Sequence, residues 1–555
     1  MTQALEANAR AITLCKVHVR TFALAVVLLL PALAAHADVL YVAPDGSDQN
    51  AGTEGAPFAT LTRAQTSANP GDTVYLRGGT YAFRSDSAAN GVLLDKSGQA
   101  GKPIRYLAYA GERPVLDFAN MTAKARITGI RVTASWLELK GLELKGVPQR
   151  INTENESWGI YNTGSHNVYE ALDIHHIMGP GLFIAQGSDN QVLQCDSHHN
   201  YDPMSKAGDG ENADGFGCHA SGGNNVFRGC RAWWNTDDGY DFISAKGTCL
   251  VERSWAFYNG YLPDTFTAKA NGNGFKAGGY GTGTVPDAPP RHTVRFCLAF
   301  RNRAAGFYAN HHPIGGDWLD NTGYRNARDF DMLLLEPGGV ANHLLRNNLA
   351  YAGSSALANF SGGDDAFNSW NLGVTISDAD FESVDMKGMD GPRKADGSLP
   401  DIHFMQLAAG SDLIDKGKDL GFPFVGAAPD LGAFELGQRS AAEPDADVDA
   451  GAGSDVPVAP SADASVASTP ADASATSAPP GDPRRPDAAL PAAAGTRADA
   501  STSAAVASDD ATEDADSAER GHPGGCALTQ RDAASARDAW VLLIMLGLLL
   551  RQRRL

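Results

Sequence analysis

The chain runs to 555 residues with a formal net charge of −20, and 43 % of its residues are hydrophobic, enough for one long repetitive fold with extras or for several ordinary domains. Its 61 glycines follow no three-residue period, which excludes collagen and disfavours long amphipathic helical bundles. So acidic a balance also argues against nucleic acid as a partner.

The N-terminus has the character of an address. Arg10, Lys16 and Arg20 precede an apolar run from Phe22 to Ala35, and Ala35-His36-Ala37 supplies a small-x-small cleavage site. Residues 1–37 are therefore expected to be a secretory signal and the mature chain to start at Asp38, outside the cytoplasm.

Residues 38–437 form the working part, and their organisation emerges when segments ending in Asn are aligned. Val192 to Asn200, Phe227 to Asn235, Val251 to Asn259, Val294 to Asn302 and Trp318 to Asn326 are equivalent stretches, and their Asn residues are separated by 35, 24, 43 and 24 residues. A base period of 24 with extra loops of 11 and 19 residues predicts a solenoid. Short apolar or alternating stretches with Asn and Gly at the corners, and no 3.6-residue pattern between them, make it an all-β parallel solenoid. Stacked coils place equivalent residues about 4.8 Å apart, so the Asn column is expected to be a ladder of turn amides with a structural role.

Five residues before each Asn stand Cys195, Cys230, Ser254, Cys297 and Asn321. In this column Cys195 and Cys230 are close enough for a disulfide, although stacked buried thiols are the simpler expectation. With Cys15 in the signal and Cys526 near the C-terminus, five cysteines remain, so at least one is unpaired within the chain. The His pairs at 175–176, 198–199 and 311–312 are assigned to different columns with no neighbouring Cys, which disfavours zinc.

The chemistry is expected just past the Asn corner. Asn212-Ala213-Asp214-Gly215-Phe216, Thr236-Asp237-Asp238-Gly239-Tyr240-Asp241, Gly272-Asn273-Gly274-Phe275-Lys276 and Ala305-Gly306-Phe307-Tyr308 align on their Gly-aromatic pairs. Asp214, Asp238 and Asn273 then share one column, and Asp241, Lys276 and Tyr308 another. A single Asp-Gly is an ordinary solvated turn. Four carboxylates on one face repel one another unless a cation is present, and oxygen-only donors favour calcium over zinc or copper, which places Ca2+ at Asp214, Asp237, Asp238 and Asp241.

Beyond the solenoid, residues 438–523 form a low-complexity Ala/Ser/Pro/Asp tract, and the part up to residue 520 holds 16 acidic residues against five arginines, so it is expected to be disordered. Residues 524–555 combine Gly524-Gly525-Cys526, an apolar stretch from Ala539 to Leu550, and Arg551-Gln552-Arg553-Arg554. This order resembles the C-terminal sorting tags of bacterial surface proteins, the myxobacterial type in particular. It implies membrane or cell-surface attachment through a short apolar helix, which at twelve residues falls below the ~20 needed for a comfortable span. A plain tail anchor is the alternative.

The Asn212-Ala213-Asp214-Gly215 motif, the Asp237-Asp238-x-x-Asp241 cluster and Gly274-Phe275-Lys276, in this order, resemble the pectate lyases of polysaccharide lyase family 9, which are right-handed parallel β-helices. The resemblance extends through Phe307 to His312, Leu413 to Gly417 and Asp430 to Glu435. It implies calcium ligands at Asp214, Asp237, Asp238 and Asp241 and a catalytic base at Lys276. Tyr41 to Gly46 and Pro57 to Leu61 look like the N-terminal cap of such helices, with a turn around Leu61 and Ala64 covering the first coil.

The implied reaction is β-elimination on polygalacturonate, an acidic polysaccharide. Calcium stabilises the enolate-like transition state, and a base removes the C5 proton. A lysine amine ordinarily titrates near ~10.4 and the Asp cluster opposes its deprotonation, so alkaline activity is expected. The two extra loops are natural groove walls, and Arg303, Tyr308 and His311 are candidate substrate contacts. A glycoside hydrolase using Asp214 and Asp238 as a carboxylate pair leaves Lys276 idle. A calcium-riveted surface binder is the other alternative. The chain is expected to act as a monomer. Polymer identity, methylation preference and internal versus terminal attack are open at this level.

Overall fold

The computed structural model describes residues 37–281, 283–333 and 341–437. The expected signal (Ala37 apart), linker and tag lie outside them, and among the described residues no helix is long and apolar enough to cross a membrane.

Among the described residues, three parallel sheets wrap around one core, and the chain visits them in the repeating order I, II, III. Sheet I has 12 strands, from Val39–Val42 to Gly363–Asp365. Sheet II has 10, from Gly79–Ser85 to Leu349–Tyr351, and sheet III has 10, from Asn90–Leu94 to Leu357–Ala358. This is the expected all-β parallel β-helix. The strands are short because each contributes only one or two inward side chains per coil, and equivalent inward residues stack on one another. In sheet III the column Ile130, Ile160, Leu182, Phe216, Tyr240, Phe275, Phe307 and Phe330 climbs the core in register. Its aromatic rings lie 4.6–5.2 Å apart from Phe216 to Phe330, close to the ~4.8 Å strand spacing.

The Asn column behaves as expected. At the corner between sheets II and III, Asn235 Nδ2 donates to Asn259 Oδ1 (3.0 Å), Asn259 to Asn302 (2.9 Å) and Asn302 to Asn326 (3.0 Å). Each is preceded by a left-handed residue, Trp234, Tyr258, Arg301 or Arg325. These side chains carry a conformational cost that the buried ladder offsets. The glycines of the Gly-aromatic pairs face this ladder: a Cβ on Gly239 or Gly274 would lie within 3.0 Å of the Asn259 or Asn302 amide nitrogen. A second amide ladder, Asn167, Asn190 and Asn225, closes the corner between sheets III and I and was not expected from the sequence.

A short helix, Leu61–Ser67, is capped by the Thr60 hydroxyl and buries Leu61 and Ala64 over the first coil. Residues 371–436 cover the outer face of sheet II, where Phe381, Phe404 and Leu407 join a cluster with Trp233, Trp255, Phe257 and Phe300. Asp196 anchors this cover by pairing with Arg231 and Arg393, each at 2.7 Å.

Two expectations need correction. Cys218 pairs with Cys249, while Cys195, Cys230 and Cys297 are free and buried, as the simpler expectation held. His175 and His198 share one column, and His176 and His199 the next, with rings 5.0 and 5.5 Å apart, because the Asn register continues into these coils. Asp365 lies on the last strand of sheet I and accepts from Asn368 and Trp370.

Candidate active site

Sheet III carries the site because its strands repeat the tripeptide Gly, inward apolar residue, outward residue. The outward positions form one row in register: Arg131, Tyr161, Phe183, Gly217, Asp241, Lys276, Tyr308 and Asp331. Asp241 and Lys276 are thus direct neighbours on adjacent strands, as the alignment required.

Asp214, Asp238 and Asp241 converge. Each offers a carboxylate oxygen, and the three oxygens lie within 4.8 Å of one another. Asp238 N donates to Asp214 Oδ1 at 2.9 Å, and Asn273 N donates to Asp238 Oδ1 at 2.6 Å. The expected Asp214, Asp238, Asn273 column is therefore a ladder. Lys276 Nζ lies 3.1 Å from Asp241 Oδ2 and 3.3 Å from Asp238 Oδ2. Asp237 stands beside this group of three, with its two oxygens accepting the Asn212 and Asn271 backbone N–H groups at 2.7 and 3.0 Å. Each of these oxygens keeps a second lone pair.

All four carboxylates are buried, and Lys276 keeps 7 % of its surface exposed. Burial, then the neighbouring carboxylates, raises Asp214 well above the ordinary carboxylate range. Burial likewise raises Asp237 to about 7 and Asp238 to about 8, partly opposed by Lys276. Asp238 Oδ2 accepts no hydrogen bond. A buried, oxygen-only donor set, with one carboxylate oxygen that meets Lys276 at 3.3 Å but accepts no hydrogen bond, fits a hard divalent cation.

Insertions wall the site. Residues 201–211 and 260–272 leave the corner between sheets II and III and are stitched together: Lys269 Nζ meets Asp209 at 2.6 Å, and Asn271 Nδ2 donates to Glu211 at 3.2 Å. The expected 19-residue surplus is thus divided between this wall and a second loop, residues 277–292, on the other side of strand Phe275–Lys276. Tyr308 lies beside Lys276, and the His311 ring sits 6.5 Å from the Tyr308 ring. Arg303 belongs to the first wall, where its guanidinium donates to the Ala270 carbonyl. The upstream row, Arg131, Tyr161 and Phe183, was not expected from the sequence, although Gly129-Ile130-Arg131, Gly159-Ile160-Tyr161 and Gly181-Leu182-Phe183 repeat the tripeptide.

A family model described as the Pel9A-like, right-handed β-helix region matches residues 40–348. The chain belongs to this family. It is 36 % identical over 405 residues to pectate lyase L of Dickeya chrysanthemi, covering 72 % of this chain and 90 % of that one. It is 33 % identical to pectate lyase PEL9 of Emericella nidulans, over 69 % of this chain and 95 % of the relative. The crystal structure of pectate lyase Pel9A superposes with a TM-score of 0.61 at 34 % identity, covering 72 % of this chain and 96 % of that one. A rhamnogalacturonan lyase gives 0.62 at 34 % identity, covering 67 % and 97 %. This member of the Pel9A-like family is an enzyme, a polysaccharide lyase resembling the pectate lyases.

Proposed function

We propose that the enzyme cleaves polygalacturonate by calcium-dependent β-elimination with Lys276 as general base. The observation that carries this reading is the placement of a lysine amine directly against a buried carboxylate cluster on the walled face of sheet III. Asp214, Asp238 and Asp241, with Asp237 beside them, would hold calcium. Bound there, the ion would act as a Lewis acid on the substrate carboxylate and make the C5 proton more acidic. Lys276 Nζ takes that proton, the C4–C5 double bond forms and the C4–O bond to the next sugar breaks. Asp238 and Asp241 hold Lys276 as an ammonium, so the base form, and with it activity, grows on the alkaline side. Tyr308, beside Lys276, and His311 would line the groove as substrate contacts, and Arg303 keeps the wall in place.

The enzyme acts as a monomer, exported by residues 1–37 and held at the bacterial surface through residues 524–555. Fractionation of intact cells, with mass determination of the mature chain, tests this placement.

The functional test is incubation with polygalacturonate and calcium while following ultraviolet absorbance, since the double bond conjugated to the carboxylate absorbs. New reducing ends without absorbance would mean hydrolysis. The equal similarity to a rhamnogalacturonan lyase makes rhamnogalacturonan backbone the second substrate to assay, and absorbance on that polymer alone would replace polygalacturonate in the proposal.

A further inference from the structure

We propose that Arg131, Tyr161 and Phe183 form a distal recognition site for the acidic polymer, where a uronate ring stacks on the aromatic pair and its carboxylate pairs with Arg131. The identity of the sugar rests on the lyase reading above.

These residues occupy the same outward row as Asp241 and Lys276, on the side of the cluster nearer the N-terminus. At ~4.8 Å per strand, Phe183 lies two strands, about 10 Å, from Asp241 and Arg131 lies four strands, about 19 Å, away. All three are partly exposed. The Tyr161 and Phe183 rings stack at 5.8 Å with planes 20° apart, and the Arg131 guanidinium lies 4.9 Å from the Tyr161 centroid. Trp158 supports the stack from below, 4.5 Å from Tyr161. An amphipathic ring face beside a planar cation suits a sugar that has an apolar C–H face and a carboxylate at its edge.

The charges are arranged accordingly. Arg126, above Trp158 at 3.8 Å, is paired with Glu154 and Glu156, whereas Arg131 has no carboxylate partner among the described residues. Beyond Lys276 in the other direction the row continues with Tyr308 and Asp331, and Asp331 already pairs with Arg328 at 2.8 Å. Among the described residues of this row, the arginine without a carboxylate partner therefore lies on the side nearer the N-terminus.

The platform is also connected to the reaction centre. A Cβ on Gly217 would lie 2.4 Å from the Phe183 ring, so that ring reaches over strand Phe216–Cys218 toward Asp241 only because residue 217 is glycine. Two buried ring nitrogens border the stack without a hydrogen-bond partner, Trp158 Nε1 and His219 Nε2, the latter on a ring 4.5 Å from Phe183.

The test compares the parent with Arg131→Ala, Arg131→Lys, Tyr161→Ala and Phe183→Ala on trimeric and octameric galacturonate and on the polymer. The KM for octamer and polymer should rise roughly tenfold in Arg131→Ala, the scale of one charge-assisted contact, while the trimer, too short to span from Lys276 to Arg131, shifts less than twofold. Arg131→Lys should recover part of the loss, since it keeps the charge without the planar stack. An unchanged KM for long chains, or equal losses on trimer and octamer, overturns the proposal. If an aromatic truncation unfolds the chain, Arg131→Ala at a partly exposed position still decides. If the parent is inert on every uronate polymer, the lyase reading fails separately, and tryptophan fluorescence then tests the site by octamer binding. Binding lost in Arg131→Ala supports the site, and no binding by the parent sinks it.

Discussion

Two polar ladders climb the coils at and just past the corner between sheets II and III, within a few residues of each other, and at Asp214 and Asp238 the second differs from the first in one atom per side chain. In the ladder Asn235, Asn259, Asn302 each amide accepts from one coil and donates to the next. In the ladder Asp214, Asp238, Asn273 the carboxylates also accept backbone N–H groups. They have nothing to donate, however, and Asp238 Oδ2 is left without a hydrogen bond. The amide ladder is complete in itself and serves the fold. The carboxylate ladder is complete only with a cation, and Lys276 supplies one charge to it.

The largest effect should follow from altering that cation. Lys276→Ala should lower turnover by the ~10²- to 10⁴-fold of a positioned acid-base group, with calcium affinity retained. Lys276→Arg keeps the charge beside Asp241 but does not deprotonate near neutral pH, so it should be almost as inactive. Steady-state rates on polygalacturonate check both, and parental activity in the Arg variant would refute the base assignment.

Exchanging the ladders' chemistry should give the next largest effect. Asn259→Asp turns two donated hydrogen bonds, to Ala232 O and Asn302 Oδ1, into contacts between acceptors in the interior. A loss of about 3 kcal/mol or more in urea unfolding is expected, with no gain of metal binding. Wild-type stability would mean that the ladder is dispensable.

Much of this contrast was legible in the sequence because a solenoid turns a period into proximity. Asn200 to Asn326 line up through the repeated segments that end in Asn, and Asp214, Asp238, Asn273 and Asp241, Lys276, Tyr308 line up through the Gly-aromatic pairs. Legibility is lost upstream of the acidic motifs and wherever inserted loops interrupt the period. Arg131, Tyr161 and Phe183 lie upstream of the acidic motifs and carry no carboxylate to mark them, although Gly129, Gly159 and Gly181 repeat the same tripeptide register. The orientation of Asp237 depends on the Asn212 and Asn271 backbone groups, which belong to the inserted loops and have no period. The Cys218–Cys249 bridge links sheet III to sheet I, a contact between columns that an alignment within columns does not reveal.

A milder change to the acidic ladder should separate its metal role from its place in the fold. Asp238→Asn keeps an oxygen for the Asn273 N–H and removes one charge, so calcium affinity by calorimetry should fall roughly 10- to 100-fold, the cost of a lost charged contact. Asp401→Asn, at a side chain 76 % exposed and paired only with Lys394, should leave affinity unchanged. Equal losses in both variants would place the ion elsewhere.

The smallest effect is a pH dependence that only the acidic ladder should show. Asp238 rises from 3.8 to about 8 on folding, chiefly through burial, and Asp237 and Asp214 rise with it. Between about pH 4 and about pH 8 the folded chain therefore holds protons that the unfolded chain has lost, and stability must fall as pH rises through that window. Calcium binds the deprotonated carboxylates, so it should oppose the fall increasingly toward its alkaline end. Asp202, Asp320 and Asp329 are also raised by burial, so the chelated parent alone does not isolate the site. The difference between parent and Asp238→Asn does. In chelator, the variant's Tm should decline with pH less steeply than the parent's, by a few degrees across the window, and calcium should narrow the gap by stabilising the parent more. Parallel Tm curves in chelator would mean that Lys276 already compensates the cluster, and the contrast between the two ladders would then reduce to the hydrogen bonds they can donate.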